Sequence, residues 1–335
     1  MSSLTFKIYS RLIVPIFKRS FFLMLIYKRF FSLSSIKARF IRTEFIKREA
    51  TSLIKTLNLL DYHGTFLINK NSFYLYSEGI FLNTKYSNRY IKSTDNHINE
   101  GYRISKFLRQ EGVKLNNILD IGAYAGELSL FFSKNFPNAN VIALEPSSKN
   151  FDLLKSNLDF NKEILGEEKF NKLTILKFAI SDRSGRIDIT SDFGGENTII
   201  LDSANKQIKK YKLASKETVD VLTIENIMEI QKVNYFDFIK IDIEGAEPLL
   251  TASLIKIKPK SILLEFSNKN EIYEYKEMFH QLINHGYKAI LKTNDKTIFN
   301  KNNIDKFDYL LDKIYEEIFW GTLASGEDIW FIKSE

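Results

Sequence analysis

Short apolar runs begin near Ile118 and recur at residues 141–144, 174–178, 236–241, 261–266, 287–292 and 328–334, with helix-like segments between most of them. Runs of that length, spaced in that way, read as the strands of a doubly wound α/β core. The pattern predicts a helix over 98–110 leading into the core and another starting near Pro248. Between 187 and 223 the strand–helix rhythm breaks, and small additional strands over the binding site are expected there. The Asn- and Lys-rich stretch from Asn294 to Asp305 reads as a solvated excursion. No internal repeat emerges.

The N-terminal third follows another pattern. Residues 1–57 read as mainly helical, and 62–79 as a hairpin turning at Asn69-Lys70-Asn71. Three regions are therefore expected: a basic, aromatic helical extension (1–57), a small strand or hairpin region (58–97) and the main domain (98–335). The apolar runs at 12–17, 21–27 and 30–33 are interrupted by Lys18-Arg19 and Lys28-Arg29, so none is long enough to span a bilayer, and no cleavage site marks a signal peptide. The extension either lies on an anionic membrane, aromatics inward and basic groups towards phosphates, or packs on the main domain as a cap.

Composition narrows the classes. A chain of 335 residues that is 44% hydrophobic can bury a large domain and an appendage. The lack of cysteine excludes disulfides, a thiolate nucleophile and a thiolate metal centre. His63, His97, His280 and His285 form no zinc-finger or metalloprotease spacing. The net charge of +7 is uneven: residues 1–50 hold eleven Lys or Arg against Glu44 and Glu49, which is +9, so the other 285 residues carry −2. A main domain of that charge has no broad positive face for nucleic acid.

Chemistry concentrates between Asn116 and Phe151, where an apolar run reaches Asp120, Gly122, Ala123 and Gly126, a helix-like segment follows, and a second run ends at Glu145. Small residues after the first strand let backbone approach a ligand, and an acid closing the second can accept ribose hydroxyls. A nicotinamide fingerprint wants glycine two residues after Gly122, where Tyr124 stands, so the spacing favours S-adenosylmethionine over NAD. Tight packing is the other reading of the two glycines. Farther on, Asp242 and Glu244 follow an apolar strand and precede a helix. Two acids at such a crevice are costly unless used or solvated.

The ordered set DIGAYAGELS, ALEPSSKNFDLLKSNLDFN, AISD with Gly185, TVDVL, IKIDIEGAE and ILLEF closely resembles the FkbM family of S-adenosylmethionine-dependent methyltransferases over roughly residues 100–290. The resemblance implies a mostly parallel, seven-stranded methyltransferase sheet, its last strand antiparallel to its neighbours, and methyl transfer, usually to oxygen on sugars, polyketides or related small molecules. It places Ala179 and Asp182 near adenine, although Asp182 also suits a local turn cap, and it places Asp242 near the transferred methyl. Asp120, Gly122, Ala123, Gly126, Glu145, Ala179 and Asp182 are thus the expected cofactor residues, and Asp242 and Glu244 the expected catalytic pair, Asp242 as base. Phe193-Gly194-Gly195-Glu196-Asn197 is a candidate mobile loop at the acceptor. Asp242, Glu244 and Glu265 could together accept a divalent cation, which spacing does not establish, so no metal is assigned. Lys240 either neutralises nearby carboxylates or reaches solvent over a packed stem.

The leading expectation is methyl transfer from S-adenosylmethionine to a hydroxyl of a sugar-containing or polyhydroxylated small molecule, in the cytoplasm or at the inner face of its membrane. A membrane-associated module that binds the cofactor without transferring methyl, and an NAD-dependent oxidoreductase, are the alternatives. Neither the acceptor nor the oligomeric state is legible.

Overall fold

The computed structural model describes residues 64–69, 72–77, 80–83, 100–190, 216–266, 272–291, 297–319 and 327–334. The expected 1–57 extension, His63, His97 and the Phe193–Asn197 loop lie outside the described residues. No described helix is long and apolar enough to cross a membrane.

The chain divides into two compact units. In the first, residues 1–101 with 156–171, strands β1 (Gly64–Asn69), β2 (Ser72–Ser77) and β3 (Ile80–Asn83) form an antiparallel meander. Asn69 pairs with Ser72, and the rest of the turn expected at Asn69-Lys70-Asn71 lies outside the described residues. The third strand was not anticipated. Its Ile80 and Leu82, two residues apart on one strand face, are both fully buried.

The second unit, residues 102–155 and 172–335, opens with the helix α1 (100–110, its first two residues in the other unit) and then alternates strand and helix. In chain order come β4 (Asn117–Ile121), α2 (Glu127–Asn135), β5 (Asn140–Leu144), α3 (Ser148–Leu165), β6 (Leu173–Leu176), β7 (Ala179–Ile180), β8 (Gly185–Thr190), β9 (Lys216–Leu222) and α4 (Ile224–Gln231). There follow β10 (Phe238–Ile241), a 3-10 turn (Glu247–Leu250), α5 (Thr251–Ile257), β11 (Ser261–Phe266), α6 (Ile272–Asn284), β12 (Tyr287–Leu291), β13 (Thr297–Phe299), α7 (Ile304–Phe319) and β14 (Glu327–Lys333). The main sheet runs β13-β12-β14-β11-β10-β4-β5-β6. Strands β6, β5, β4, β10 and β11 are mutually parallel, and β14 lies antiparallel between β11 and β12.

The seven strands expected are present, and an eighth, β13, extends the β12 edge. It falls inside the stretch expected to be a solvated excursion, because Phe299 is an apolar anchor there, buried and stacked on Phe307 of α7. A second correction concerns 174–178. The apolar run splits, since β6 stops at Leu176 on the sheet edge and Ala179–Ile180 turns away to pair with Val221–Leu222. That second pairing, with β8 antiparallel on β9, builds a small sheet of order β7-β9-β8, in which β8 and β9 fall at the two ends of the 187–223 stretch where extra strands were expected.

Strand alternation sorts the core into two layers. Leu119, Ile121, Ile239, Ile241, Ile262 and Leu264 face a cluster completed by α4, α5, α6 and α7. On the opposite face, Phe238 stacks on Trp330 at 5.8 Å and meets Phe132 of α2 edge-on, while Phe107 of α1 covers Trp330. Asp120 and Lys240 are register partners on parallel strands, and Asp242 follows Lys240 by two, so all three belong to this second face. Chain direction across the sheet reverses between β4 and β10, which leaves a crevice beyond their C-terminal ends.

Candidate active site

The crevice is walled by the turn that follows β4. Gly122 and Ala123 donate backbone hydrogen bonds to the Leu144 carbonyl at 3.0 and 2.9 Å, tying the turn to the end of β5. Gly122 has φ +81° and passes so close to β10 that an added Cβ would sit 1.8 Å from the Asp242 carbonyl oxygen. Gly126, at φ +85°, precedes α2, and a Cβ there would lie 2.2 Å from Leu154 of α3. At Gly122 the close approach is to backbone, whereas at Gly126 the near atom is the tip of the Leu154 side chain and the left-handed φ is what favours glycine. At Tyr124 the turn carries a side chain in the left-handed region, φ +50°.

Two acids at this turn are buried. Asp120 is 1% exposed; Ser129 of α2 donates to its Oδ2 at 2.5 Å, and Oδ1 has no hydrogen-bond partner among the described residues. Burial pushes its carboxyl above the usual range, against the pull of Lys240 and Ser129. Glu145, at the exit of β5, accepts from Tyr124 N at 2.9 Å through Oε2, and from Ser147 N at 2.9 Å and Asn150 Nδ2 at 3.3 Å through Oε1. Burial nevertheless raises its carboxyl to about 7, the three donors only limiting the rise. A carboxylate offers about four acceptor positions, so one on Oε2 is left for a ligand hydroxyl. The orphaned Asp120 Oδ1 and this open position fit a ligand that brings its own donors, as the amino and ribose groups of S-adenosylmethionine do.

Across the crevice the end of β10 presents Asp242, its side chain 36% exposed, in an ion pair of 2.9 Å with Lys240. The lysine side chain is only 11% exposed, and its Nζ also lies 3.4 Å from the Gly122 carbonyl. Of the two readings of Lys240, neutralisation of a nearby carboxylate is the one found, and the same ammonium reaches the turn after β4. Asp242, Glu244 and Glu265 each bring one carboxylate oxygen to within 4.8 Å of the others, an arrangement that could accept a hard cation. Glu265, on β11, stands in register with Asp328 of β14. Its burial, together with repulsion from Asp242, Glu247 and Asp328, pushes its carboxyl well above the usual carboxylate range.

Sequence reasoning missed Glu247. It is 1% exposed and accepts from Ile243 N at 3.1 Å, Gly245 N at 3.0 Å and the Tyr275 hydroxyl at 2.8 Å. The available signal was an acid just before Pro248 at a helix start, a position from which a side chain can reach back to free backbone N–H groups. Of the remaining expected residues, Ala179 is buried in β7, paired with Val221 in the small sheet. Asp182 is exposed and accepts from Ser181 Oγ at 2.9 Å, as a turn residue does.

A family model described as the methyltransferase FkbM domain matches residues 120–289, half of the chain, and spans the Asp120 turn, Glu145, Asp242, Glu244 and Glu265. The chain belongs to the FkbM methyltransferase-domain family. One curated relative, methyltransferase sdnD of Sordaria araneosa, is 25% identical over 153 residues, which is 39% of this chain; the chain spans 57% of that relative's length. Among solved structures, magnesium protoporphyrin IX methyltransferase of Synechocystis PCC 6803 with bound S-adenosylmethionine covers 74% of this chain and 86% of its own, at 11% identity and a TM-score of 0.39. A methyltransferase of Agrobacterium tumefaciens dependent on the same cofactor covers 80% and 72%, also at 11% and 0.39. Likenesses at these scores leave the fold where the strand order of the family domain puts it.

Proposed function

We propose that this chain transfers the methyl group of S-adenosylmethionine to a hydroxyl of a sugar-containing or polyhydroxylated small molecule. The observation that carries the reading is Asp242: a partly exposed carboxylate at the topological switch point, held by a buried lysine that also reaches the cofactor turn. Bound in the crevice, S-adenosylmethionine supplies an electrophilic methyl on a sulfonium. Glu145 would take a ribose hydroxyl on its open acceptor position and Asp120 Oδ1 a donor of the amino-acid portion, with Gly122, Ala123 and Gly126 shaping the turn and Ala179 and Asp182 at the adenine.

Asp242 acts as the base. As the acceptor oxygen forms its bond to the methyl carbon and the carbon–sulfur bond breaks, the hydroxyl proton passes to the Asp242 carboxylate. Glu244 positions the acceptor. Holding the oxygen in line with the departing sulfur supplies a large part of the acceleration. Calorimetric titration with S-adenosylmethionine, then transfer of labelled methyl over a panel of polyols, glycosides and amines, tests the reading. Well-folded protein that does not bind the cofactor would end it, and methylation confined to amines would move the acceptor from oxygen to nitrogen.

The extension supports a second element of the reading. A charge of +9 in residues 1–50, interleaved with aromatic runs, suits peripheral contact with an anionic membrane, at the cytoplasmic face of the inner membrane. Co-sedimentation with vesicles of anionic lipid should fall sharply on removal of residues 1–50; equal partitioning of both chains contradicts it.

A further inference from the structure

The turn that carries both proposed catalytic acids is held from beneath. Asp242 N donates to the Ile121 carbonyl at 3.1 Å, which fixes the start of the turn to β4. Beyond it, Glu244 and Gly245 both have positive φ, +60° and +105°, and for a glutamate that is an uncommon conformation. What holds the turn there is the Glu247 carboxylate, with Oε1 on Ile243 N and Oε2 on Gly245 N. Its second oxygen also accepts from Tyr275 of α6, and that ring is fully buried against Phe266 and Phe279. A carboxylate is an acceptor at every position, so all three donors are served at once. An amide at the same place would turn an NH₂ towards one of them.

We propose that Glu247 is a positioning residue: by clamping Ile243 N and Gly245 N it sets where the Asp242 and Glu244 carboxylates stand relative to the cofactor, and Tyr275 anchors the clamp to α6. Glu247 touches neither cofactor nor acceptor; it acts through the turn. The inference rests on the reading of Asp242 and Glu244 as the working acids, while the clamp itself is a separate physical claim.

The test uses full-length E247A, E247Q and Y275F beside D242N. Amide hydrogen exchange at Ile243 and Gly245, followed by NMR on protein saturated with S-adenosylhomocysteine, reads the clamp without any acceptor. Both amides should be protected in the parent and in Y275F, one should lose protection in E247Q, and both in E247A. Turnover, with the acceptor the parent methylates and well below each variant's melting midpoint, reads the positioning. Here kcat should fall by roughly 10–100-fold in E247A, less in E247Q and least in Y275F, while KM for S-adenosylmethionine stays within about twofold. Unchanged exchange in E247A overturns the clamp, and losses of kcat that merely follow losses of cofactor affinity overturn the positioning. Full turnover by D242N with an impaired E247A strikes the base assignment alone. A parent chain that methylates nothing strikes the functional reading, and the exchange data still decide the clamp.

Discussion

The two ends of β10 each carry an aspartate, and their surroundings differ in kind. At the N-terminal end Asp237 is fully buried with both carboxylate oxygens bound: Asn116 N and Asn117 N donate to Oδ2 at 2.8 and 3.0 Å, and Lys260 reaches Oδ1 at 2.6 Å. At the C-terminal end Asp242 is partly exposed, shares Lys240 with the cofactor turn, and stands among Glu244 and Glu265. Every acceptor on Asp237 serves the strands it joins. At the other end burial, and then repulsion among the acids, raises Glu265 above the usual carboxylate range, and Asp120 Oδ1 on β4 has no hydrogen-bond partner among the described residues. The donors to Asp237 sit at the starts of the strands it joins, whereas the carboxylate of Asp242 is partly exposed and paired with a lysine that also reaches the Gly122 carbonyl.

The comparison breaks first at Asp242. In D242N, turnover should fall by roughly 10²–10⁴-fold with fold and S-adenosylhomocysteine affinity kept, because the amide cannot take the proton. Steady-state kinetics beside calorimetry measure both. Near-normal turnover would erase the functional difference between the two ends. Next comes Asp237→Ala, which should cost roughly 2–4 kcal/mol in urea unfolding, since two backbone amides lose a buried acceptor, while turnover per folded molecule stays at the parental level. A loss of turnover without a loss of stability would make Asp237 more than scaffold.

Gly122→Ala probes the place where the ends of β4 and β10 meet. The strained φ alone should cost roughly 1–3 kcal/mol, and the clash with the Asp242 carbonyl, which is backbone, should add to that and weaken cofactor binding, whereas Gly112→Ala, with φ +73° but open space around it, should leave binding unchanged. The smallest effect is a pH dependence. Glu145 is raised to about 7, and a ribose hydroxyl that donates to it needs the charged carboxylate, so ligand binding favours loss of the proton. Affinity for S-adenosylhomocysteine should therefore strengthen about tenfold as pH rises from about 6 to about 8 and then level off. Calorimetry across that range should show the rise in the parent and a flat profile in E145Q.

Much of this was legible in the chain. The β4–turn–β5 unit and the acids after β10 are local features, written within a few residues, and the apolar runs marked all seven expected strands. What escaped depends on partners far apart in sequence. Glu247 gains its meaning from Tyr275, 28 residues on, and Lys240 from Gly122, 118 residues back. The run around 174–180 looked continuous because apolar residues stand in both β6 and β7, although β6 is a half-buried edge strand, β7 is buried, and the two belong to different sheets. The edge strand β13 was obscured by the polar residues around Phe299, whose single buried ring carries the packing.

The place of β14 has a consequence for how the polypeptide is made. Although last among the described strands, it lies inside the sheet and supplies a hydrogen-bonded neighbour to both β11 and β12. While a ribosome is still translating the codons before residue 327, β11 has one open side, and β12 can pair only with the short β13. The nascent domain therefore carries an unclosed sheet with apolar residues such as Leu263, Ile290 and Leu291 at the gap, the kind of open edge that invites pairing with another chain. Closure of the sheet needs residues 327–333, because β11 and β12 share no neighbour until that segment lies between them.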